Sequence, residues 1–316
     1  MPAPLPKAFA LLGPTASGKT GLALQIAERL PVEIISLDSA LVYRDMDIGT
    51  AKPSAAELAA VPHHLINIIS PPESYSAAEF VDDCIRLVSE IHGRGNYPLI
   101  VGGTMMYYHA LTAGLNDLPQ ADPEIRLRLQ AEKAQHGLAY LYEQLQRIDP
   151  ETAGRLKSSD SQRIERALEV FMLTGKPLSR HFSQQQTRQT PLDLHTIALL
   201  PENRADLHRQ IAYRFEQMLA QGFLDEMQSL KQRYPELHSD TPSMRCVGYR
   251  QAWDYLDGVY DYPTFVEKGI AATRQLAKRQ LTWLRKILID QALDPYRQND
   301  YAQTALQQVK QHFEAV

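Results

Sequence analysis

Predominantly apolar runs alternate along the first half of the chain with stretches in which apolar residues recur at helical spacing. The runs cover residues 8–12, 32–37 and 99–101, and a glycine or an aspartate follows each of them. Such runs are typical of strands that are buried on both faces of a parallel sheet. Helical spacing follows the first run at Leu22, Ala23, Ile26, Ala27 and Leu30, and the third at 105–111. The alternation predicts an α/β core, and we expect a further strand at 65–69.

Helix start signals agree with this alternation. Ser54 to Glu57 and Ser76 to Glu79 both have the S-x-x-E form of a capping box. After the second box, one predicted helical face is apolar, and Gly93 and Gly95 close the segment. That face consists of Phe80, Cys84, Leu87, Val88 and Ile91.

The middle of the chain has a different pattern, with helix signals and no strand signals. Asp122-Pro123 and Asp149-Pro150 each predict an N-cap followed by proline in the first helical turn, and Gly137 and Gly175 predict helix ends. A helix around 162–172 is expected to bury Ile164, Leu168, Phe171 and Met172 and to turn Arg163 and Arg166 outward. Residues 183–190 are polar and indicate a linker, and a strand pattern returns at 194–200.

The last third is again helical and contains the most polarised stretch. An apolar stripe of Leu207, Ile211, Phe215, Met218 and Leu219 ends at Gly222. The predicted helix 268–289 then contains no Asp or Glu. It carries Lys268, Arg274, Lys278, Arg279, Arg285 and Lys286, and its expected inner side holds Leu276, Ala277, Leu281, Trp283, Leu284, Ile287 and Leu288. An acid-free cationic face fits a nucleic-acid backbone, but an ordinary solvated face has the same pattern, and both interpretations stay open.

A phosphate-binding motif sits between the first strand and the first helix. Residues Gly13 to Thr20 read GPTASGKT and fit G-x-x-x-x-G-K-[ST] in full. The strand before it and the amphipathic helix after it are the context this motif needs. Backbone N–H groups of such a loop, the helix N-terminus and Lys19 favour a diphosphate-like anion, and the Thr20 hydroxyl can bind Mg²⁺. The motif by itself specifies neither ATP nor a reaction.

Two further strand ends offer candidate chemistry. Asp38 follows the second strand, at the sheet edge where parallel α/β sheets bind ligands, although a turn or cap aspartate is the alternative. Thr104 follows Gly102-Gly103 after the third strand and either meets the anion or only caps the next helix. That strand ends in glycines and not in the acid expected of a hydrolytic NTPase.

Composition narrows the class of protein. The 316 residues are 44% hydrophobic, enough for a sizeable core, and the formal net charge of −4 gives no overall attraction to nucleic acid. Two cysteines, Cys84 and Cys246, lie outside metal-ligand spacing and favour a reducing compartment. His63-His64 has no nearby third ligand, so a structural or substrate-edge role is expected and a zinc site is not. We expect a cytoplasmic protein with no membrane span and no signal peptide.

Six sequence blocks together resemble the bacterial tRNA dimethylallyltransferases. They occur in the order of that family, span nearly the whole chain, and include blocks that P-loop proteins at large do not share. The blocks are Gly13-Pro14-Thr15-Ala16-Ser17-Gly18-Lys19-Thr20, Asp38-Ser39-Ala40-Leu41-Val42-Tyr43, Asp47-Ile48-Gly49-Thr50-Ala51-Lys52-Pro53, Val101-Gly102-Gly103-Thr104, Arg245-Cys246-Val247-Gly248-Tyr249-Arg250-Gln251 and Thr273-Arg274-Gln275-Leu276-Ala277-Lys278-Arg279-Gln280. The middle segment and the residues after Asp290 match least distinctively.

The resemblance implies transfer of a dimethylallyl group from dimethylallyl diphosphate to N6 of the adenosine on the 3′ side of the anticodon, in tRNAs that read codons beginning with U. The implied fold is a P-loop NTPase-like parallel sheet core with an inserted all-helical subdomain and a helical C-terminal region. We assign 1–117 to the first part of the core, 118–191 to a helical insertion that contacts tRNA, and 192–316 to the rest of the core and the C-terminal helices. The implied enzyme is cytoplasmic, binds the anticodon stem-loop and uses Mg²⁺ on Thr20, and we expect it to be a monomer.

The same resemblance carries over individual residues. It implies catalytic roles for Asp38, Thr104 and Lys19, and diphosphate binding by Gly13, Pro14, Thr15, Ala16, Ser17, Gly18, Lys19 and Thr20. It implies tRNA binding by Asp38, Ser39, Ala40, Leu41, Thr104, Arg126, Gln162, Arg163, Ile164, Glu165, Arg166, Ser243, Met244, Arg245, Cys246, Val247, Gly248, Leu276, Ala277, Lys278, Arg279, Gln280, Leu281, Thr282 and Trp283.

Two other classes share parts of the pattern. A small-molecule P-loop kinase would share the first strand, loop and helix but would consume ATP. An adenylate isopentenyltransferase would share the donor but prenylate a free nucleotide. The acceptor and the use of ATP therefore separate the three.

Overall fold

A six-stranded sheet forms the centre of the larger part of the protein. The computed structural model describes residues 4–114, 118–119, 121–183 and 190–314. The strands are β1 (Lys7–Leu12), β2 (Val32–Leu37), β3 (His63–His64), β4 (Tyr97–Gly102), β5 (Asp193–Leu199) and β6 (Gln291–Leu293). All neighbours are parallel, in the order β3-β2-β4-β1-β5-β6. The parallel α/β core expected from the sequence is confirmed.

Helices connect and cover these strands. They are α1 (Lys19–Ala27), α2 (Ala55–Ala60), α3 (Ala77–Gly93), α4 (Met105–Ala113), α5 (Pro123–Ile148), α6 (Pro150–Arg155), α7 (Ser161–Thr174), α8 (Leu178–Ser183), α9 (Arg204–Ala220), α10 (Phe223–Arg233), α11 (Tyr249–Leu256), α12 (Tyr262–Leu284) and α13 (Tyr301–Glu314), with a 3₁₀ turn at Ser243–Arg245. Both predicted capping boxes are present, at the starts of α2 and α3. The five predicted apolar residues of α3 are all buried.

The sheet is buried on both faces because α3 and α4 pack on one side and α1 and α13 on the other. Every residue of β2 is buried, which explains its nearly continuous apolar sequence. On one face, Ile35 and Leu37 meet Phe80 and Val88. On the other, Ile34 and Leu99 lie in the cluster that holds Leu22 and Ile26 of α1. The C-terminal ends of the strands are thereby held at one edge.

The chain divides into two compact units, Met1–Leu111 with Thr190–Val316, and Thr112–Gln189. Among its described residues the second unit has helices and connecting turns but no strand, with a core of Leu129, Leu141, Leu145, Ile164 and Leu168. The Asp122 and Asp149 caps are as predicted, and Gly175 ends α7 with a φ of 69°. Gly137 has a non-helical backbone, with a φ of 84° and a ψ of 166°, and separates two helical stretches within α5, so the predicted helix end is confirmed.

The outward orientation predicted for Arg166 is wrong. Its guanidinium bonds Glu169 at 2.6 Å and the carbonyl oxygen of Pro119 at 2.7 Å. The side chain of Glu169 is only 2% exposed, so this carboxylate requires cationic partners, and Arg126 is the second, at 2.9 Å. Phe171 and Met172, expected inside, are half-buried, while Ala167 and Val170 are buried.

The strand predicted at 65–69 is also wrong. The strand at this edge is β3, two residues earlier, and it pairs with Ile34 and Ile35. Leu65 and Asn67 have φ values of 62° and 57°, which extended strands do not allow. His64 bonds the buried Glu33 at 2.7 Å, so a structural role for this histidine is confirmed.

The predicted helix 268–289 differs at both ends. It begins earlier, because Asp261 caps Thr264 and Pro263 fits the first turn, and so it includes Glu267. It ends at Leu284, because the chain turns to place Asp290 against Thr196, whose N–H donates to that carboxylate at 2.7 Å. Trp283 and Leu288, expected inside, are 37% and 95% exposed. Strand β6, which follows, had no signal in the sequence analysis.

Nowhere in the described ranges is a helix both long and apolar enough to cross a bilayer. The predicted linker 183–190 lies largely outside the described residues.

Candidate functional site

Three strand ends meet at one edge of the sheet. Leu12 of β1 and Leu37 of β2 both stand opposite Gly102 of β4. The residues that follow them, the loop from Gly13, Asp38 and the Gly103-Thr104 junction, therefore emerge side by side. This is the edge at which parallel α/β sheets bind ligands.

The loop from Gly13 to Thr20 has the conformation of an anion-binding loop. Ala16 and Gly18 have φ values of 64° and 86°. A left-handed alanine costs on the order of 1 kcal/mol, so the surroundings must hold it. Thr20 is exposed in the first turn of α1. The free N–H groups of that turn lie at the end of the loop, where they can add to the binding of an anion.

Lys19 lies inside this loop and donates to the carbonyl oxygen of Pro14 at 2.7 Å. Burial lowers the pKa of Lys19 to about 7, with Asp38 opposing the shift and Arg214 adding to it. An ammonium so poorly solvated gains strongly from an anion at the loop.

Arg214 is a site residue that the sequence analysis missed. It lies on α9, and burial lowers the pKa of its guanidinium while Asp38 opposes this. Both Arg214 and Lys19 are thus within electrostatic reach of the same carboxylate. A signal was present, because Arg214 falls on the apolar stripe that runs through Ile211 and Phe215. A charge on a buried helical face needs a partner.

One carboxylate oxygen of Asp38 stabilises a turn, and the other is available as a proton acceptor. Its Oδ1 accepts the Ala40 N–H at 2.8 Å, which is the turn contact weighed as the alternative. Its other oxygen has no hydrogen-bond partner in the described residues. The carboxylate can therefore hold its own turn and still accept a proton.

Thr104 joins two of the strand ends. Its Oγ1 accepts the Ser39 N–H at 3.0 Å and lies 3.3 Å from the Ser39 hydroxyl, so the threonine fixes the residue beside Asp38. A Cβ at Gly102 would lie 2.1 Å from the carbonyl oxygen of Leu37. Glycine is thus required for this close approach of β4 to β2.

The block from Asp47 to Pro53 is held by one carboxylate. Glu226 of α10 accepts the N–H groups of Asp47, Ile48 and Gly49 at 2.8, 2.7 and 3.1 Å, and the Tyr249 hydroxyl at 2.5 Å. Together with Arg214, most of this block lines a cavity of about 700 Å³, from Asp47 and Ile48 to Ala51, Lys52 and Pro53. Glu226 therefore sets the shape of a space that adjoins the cationic group at Arg214.

The predicted RNA-contacting residues of this unit divide by exposure. Ser39, Arg245, Lys278, Arg279, Thr282 and Trp283 are exposed, and Asp38, Ala40, Leu41, Thr104, Cys246, Val247, Leu276 and Gln280 are partly buried. Ser243, Met244, Gly248, Ala277 and Leu281 are buried, so their side chains can only support their neighbours. Ser243, for example, bonds the carbonyl oxygen of Pro71.

The helical unit contributes its own set. Gln162 and Arg163 are exposed on α7, whereas Ile164 is fully buried. Glu165 pairs with Lys133 at 2.7 Å. The cations Arg126 and Arg166 are shared with Glu169, which leaves Arg163 as the more available charge.

Together, the strand ends provide an anion site beside a proton acceptor. Backbone N–H groups, Lys19 and Arg214 can stabilise a diphosphate, and Asp38 can accept a proton from a nucleophile that approaches it. The described residues hold no group of three or more His, Cys, Asp or Glu side chains that could bind a metal by themselves.

Known protein families match this chain. The model of a family described as IPP transferase matches residues 41–287, and one described as isopentenyl transferase matches residues 6–69. A tRNA dimethylallyltransferase of Neisseria meningitidis serogroup A is 65% identical over 98% of this chain and 99% of that relative. One from Chromobacterium violaceum is 58% identical over 89% of this chain and 87% of its own length.

Solved structures are similar as well. The full-length tRNA isopentenylpyrophosphate transferase of Bacillus halodurans has a TM-score of 0.70 and 36% identity, with 98% of this chain and 97% of that chain covered. A eukaryotic dimethylallyltransferase acting on tRNA has a TM-score of 0.76 and 27% identity, covering 95% of this chain and 77% of that chain.

Proposed function

The chain belongs to the IPP transferase family of tRNA dimethylallyltransferases, and on this premise we propose that it transfers the dimethylallyl group of dimethylallyl diphosphate to N6 of the adenosine 3′ to the anticodon. It is an enzyme that prenylates tRNA. The observation that carries the finer proposal is the placement of Asp38 within electrostatic reach of Lys19 and Arg214, at the phosphate loop.

The donor's diphosphate occupies the phosphate loop. As the allylic C–O bond breaks, negative charge grows on the diphosphate oxygens, and the loop N–H groups, Lys19 and Arg214 stabilise it. Stabilisation of this developing charge lowers the barrier, because it is stronger in the transition state than in the bound donor.

Asp38 accepts the proton of the acceptor. The exocyclic nitrogen of adenine is a weak nucleophile, since its lone pair is delocalised into the ring. As N6 forms its bond to the allylic carbon, one N6 proton passes to the unpaired oxygen of Asp38 and the diphosphate leaves. Thr104, bonded to Ser39, keeps the turn that carries this carboxylate in place.

The residues present fit a magnesium ion that is held mostly by the donor. Mg²⁺ usually binds substrate phosphates and waters with only one or two protein ligands, and Thr20 supplies an exposed hydroxyl in the first turn of α1. When bound, the ion neutralises charge on the leaving diphosphate.

The acceptor is a whole tRNA, and the proposed target lies in its anticodon arm. The base must be turned out of its stack to reach the strand ends. The exposed residues Arg245, Lys278 and Arg279 offer charge for the RNA backbone, and Trp283 offers a ring for stacking. We place the enzyme in the cytoplasm, where tRNA is modified, and propose that it acts as a monomer.

One assay tests this function against its rivals. The enzyme is given dimethylallyl diphosphate in three separate reactions. The first contains tRNA, the second contains AMP, and the third contains ATP but neither prenyl acceptor. Prenylated tRNA is the expected product, located by nuclease digestion and mass spectrometry. Prenyl-AMP as the preferred product, or consumption of ATP, would overturn the proposal.

Removing charge from α12 should reduce the salt dependence of tRNA binding. Lys278 and Arg279 are exposed and form no ion pair with any carboxylate in the described parts of the chain. If each contacts a phosphate, the slope of log affinity against log salt flattens by about 0.7 to 0.9 per charge removed. The measurement is tRNA affinity of Lys278→Ala/Arg279→Ala at several salt concentrations.

The matched control removes two cations elsewhere. Arg86 pairs with Asp83 and Glu90 on α3, and Lys310 with Glu314 on α13. Arg86→Ala/Lys310→Ala should keep the wild-type slope. An equal slope in all three proteins would show that the α12 cations are only a solvated surface.

A further inference from the structure

Gln280 reaches from α12 into the junction of two strand ends. Its Oε1 accepts the Thr15 N–H of the phosphate loop at 2.8 Å, and its Nε2 donates to the carbonyl oxygen of Gly103 at 2.9 Å. A Cβ at Gly103 would lie 2.5 Å from that Nε2, so the glycine makes room for the amide. Both ends of one amide are thus committed to the backbone of the two neighbouring strand ends.

Tyr296 holds the same loop from another point. Its hydroxyl donates to the carbonyl oxygen of Ala16 at 2.7 Å. Ala16 is the residue with the left-handed φ of 64°. Its side chain packs in the cluster of Leu207, Ile211, Ala277 and Leu281, to which Tyr296 also belongs. Tyr296 therefore holds Ala16, the strained non-glycine residue of the loop, and Gln280 bonds the adjacent residue, Thr15.

We propose that Gln280 and Tyr296 are positioning residues of the donor site, and that they hold the phosphate loop in its anion-binding conformation before the diphosphate arrives. Neither needs to touch the donor. This assigns to Gln280 a role inside the protein, distinct from the direct RNA contact that the sequence resemblance implies. The inference rests on the proposed function only in taking the diphosphate of the donor as the anion.

The expected effect follows from preorganisation. Without the amide, the Thr15 N–H loses its acceptor and the loop samples conformations in which its N–H groups do not converge. The apparent affinity for diphosphate then falls in proportion to the fraction of molecules that keep the competent loop. The chemical step, once the donor is bound, uses Asp38 and Lys19 and is affected less.

The test compares Gln280→Met with Gln275→Met in the full-length protein. Both changes replace an amide by an apolar side chain of similar length on α12, but Gln275 is exposed. We expect Gln280→Met to raise the dissociation constant for inorganic diphosphate and the KM for dimethylallyl diphosphate by about tenfold, with kcat within about threefold. Gln275→Met should match the wild type in diphosphate affinity.

Tyr296→Phe provides an independent variant that loses one hydroxyl and keeps the ring. Tyr296→Phe should raise the dissociation constant for diphosphate and the KM for dimethylallyl diphosphate by about threefold. Tyr262→Phe, which changes an exposed tyrosine of α12, should leave both constants unchanged. If Gln280→Met and Tyr296→Phe lower thermal stability but leave the diphosphate affinity unchanged, both residues make only structural contacts. Tighter diphosphate binding in Gln280→Met would show that the amide competes with the anion, and either result overturns the proposal. A wild type that binds diphosphate but prenylates no tRNA would instead contradict the proposed function alone.

Discussion

Asp38→Asn should lower kcat by about a hundredfold or more while tRNA affinity stays within a few-fold. Asparagine still accepts the Ala40 N–H, so the turn made by Oδ1 is preserved and only the charge and basicity are removed. The loss should appear in single-turnover rates measured at saturating donor and tRNA. Asp38→Ala should lose at least as much, since it also loosens the turn.

Asp45→Asn is the matched control. Asp45 lies in the same stretch, pairs with Arg233 and Tyr234, and has a φ of 61°, which asparagine tolerates. Its variant should keep nearly the full rate. Near-normal turnover of Asp38→Asn would leave Asp38 as a turn residue and remove it from the chemistry.

We expect the Lys19 amine to take up a proton when the diphosphate of the donor binds. In the free enzyme its pKa is about 7, so at pH 8 most molecules hold a neutral amine. A bound diphosphate favours the ammonium and raises this pKa. Binding at pH 8 should therefore be accompanied by uptake of nearly one proton through Lys19, and at pH 6, where the amine is already protonated, by almost none. Affinity should fall as the pH rises above 7.

Calorimetry in buffers of different ionisation enthalpy measures this uptake. Lys19→Met should bind diphosphate at least about a hundredfold more weakly and lose the wild-type excess of proton uptake at pH 8. The difference between the two proteins isolates Lys19 from protons bound by the diphosphate itself. Equal uptake in both proteins would mean that Lys19 is not the group that meets the anion.

Much of the fold could be read from the sequence because its signals are local. The strands β1, β2 and β4 contain short, predominantly apolar runs, β5 has a recognisable strand pattern, and the capping boxes need only four residues each. Errors arose where long-range contacts decide. The end of α12 depends on Asp290 meeting Thr196, and the break at Leu65 depends on a left-handed backbone that an apolar run does not reveal.

The residues of the candidate site that follow strands were predicted from the sequence, and several that come from distant helices and turns were not. Lys19, Asp38 and Thr104 follow strands in the sequence, and the sheet register brings them together. Arg214, Glu226 and Tyr296 reach the site from helices and turns more than a hundred residues away, and periodicity contains no information about such pairings. Only the position of Arg214 on an apolar stripe could have revealed one of them.

The strand order has a consequence for synthesis of the chain. β1 is made first, yet it pairs with β4 on one side and β5 on the other, and the helical unit is made between these two. One edge of an apolar central strand therefore stays open on the ribosome until residue 193 has emerged. Gln280 and Tyr296 emerge later still, so the phosphate loop is among the first elements translated and among the last to reach its final conformation.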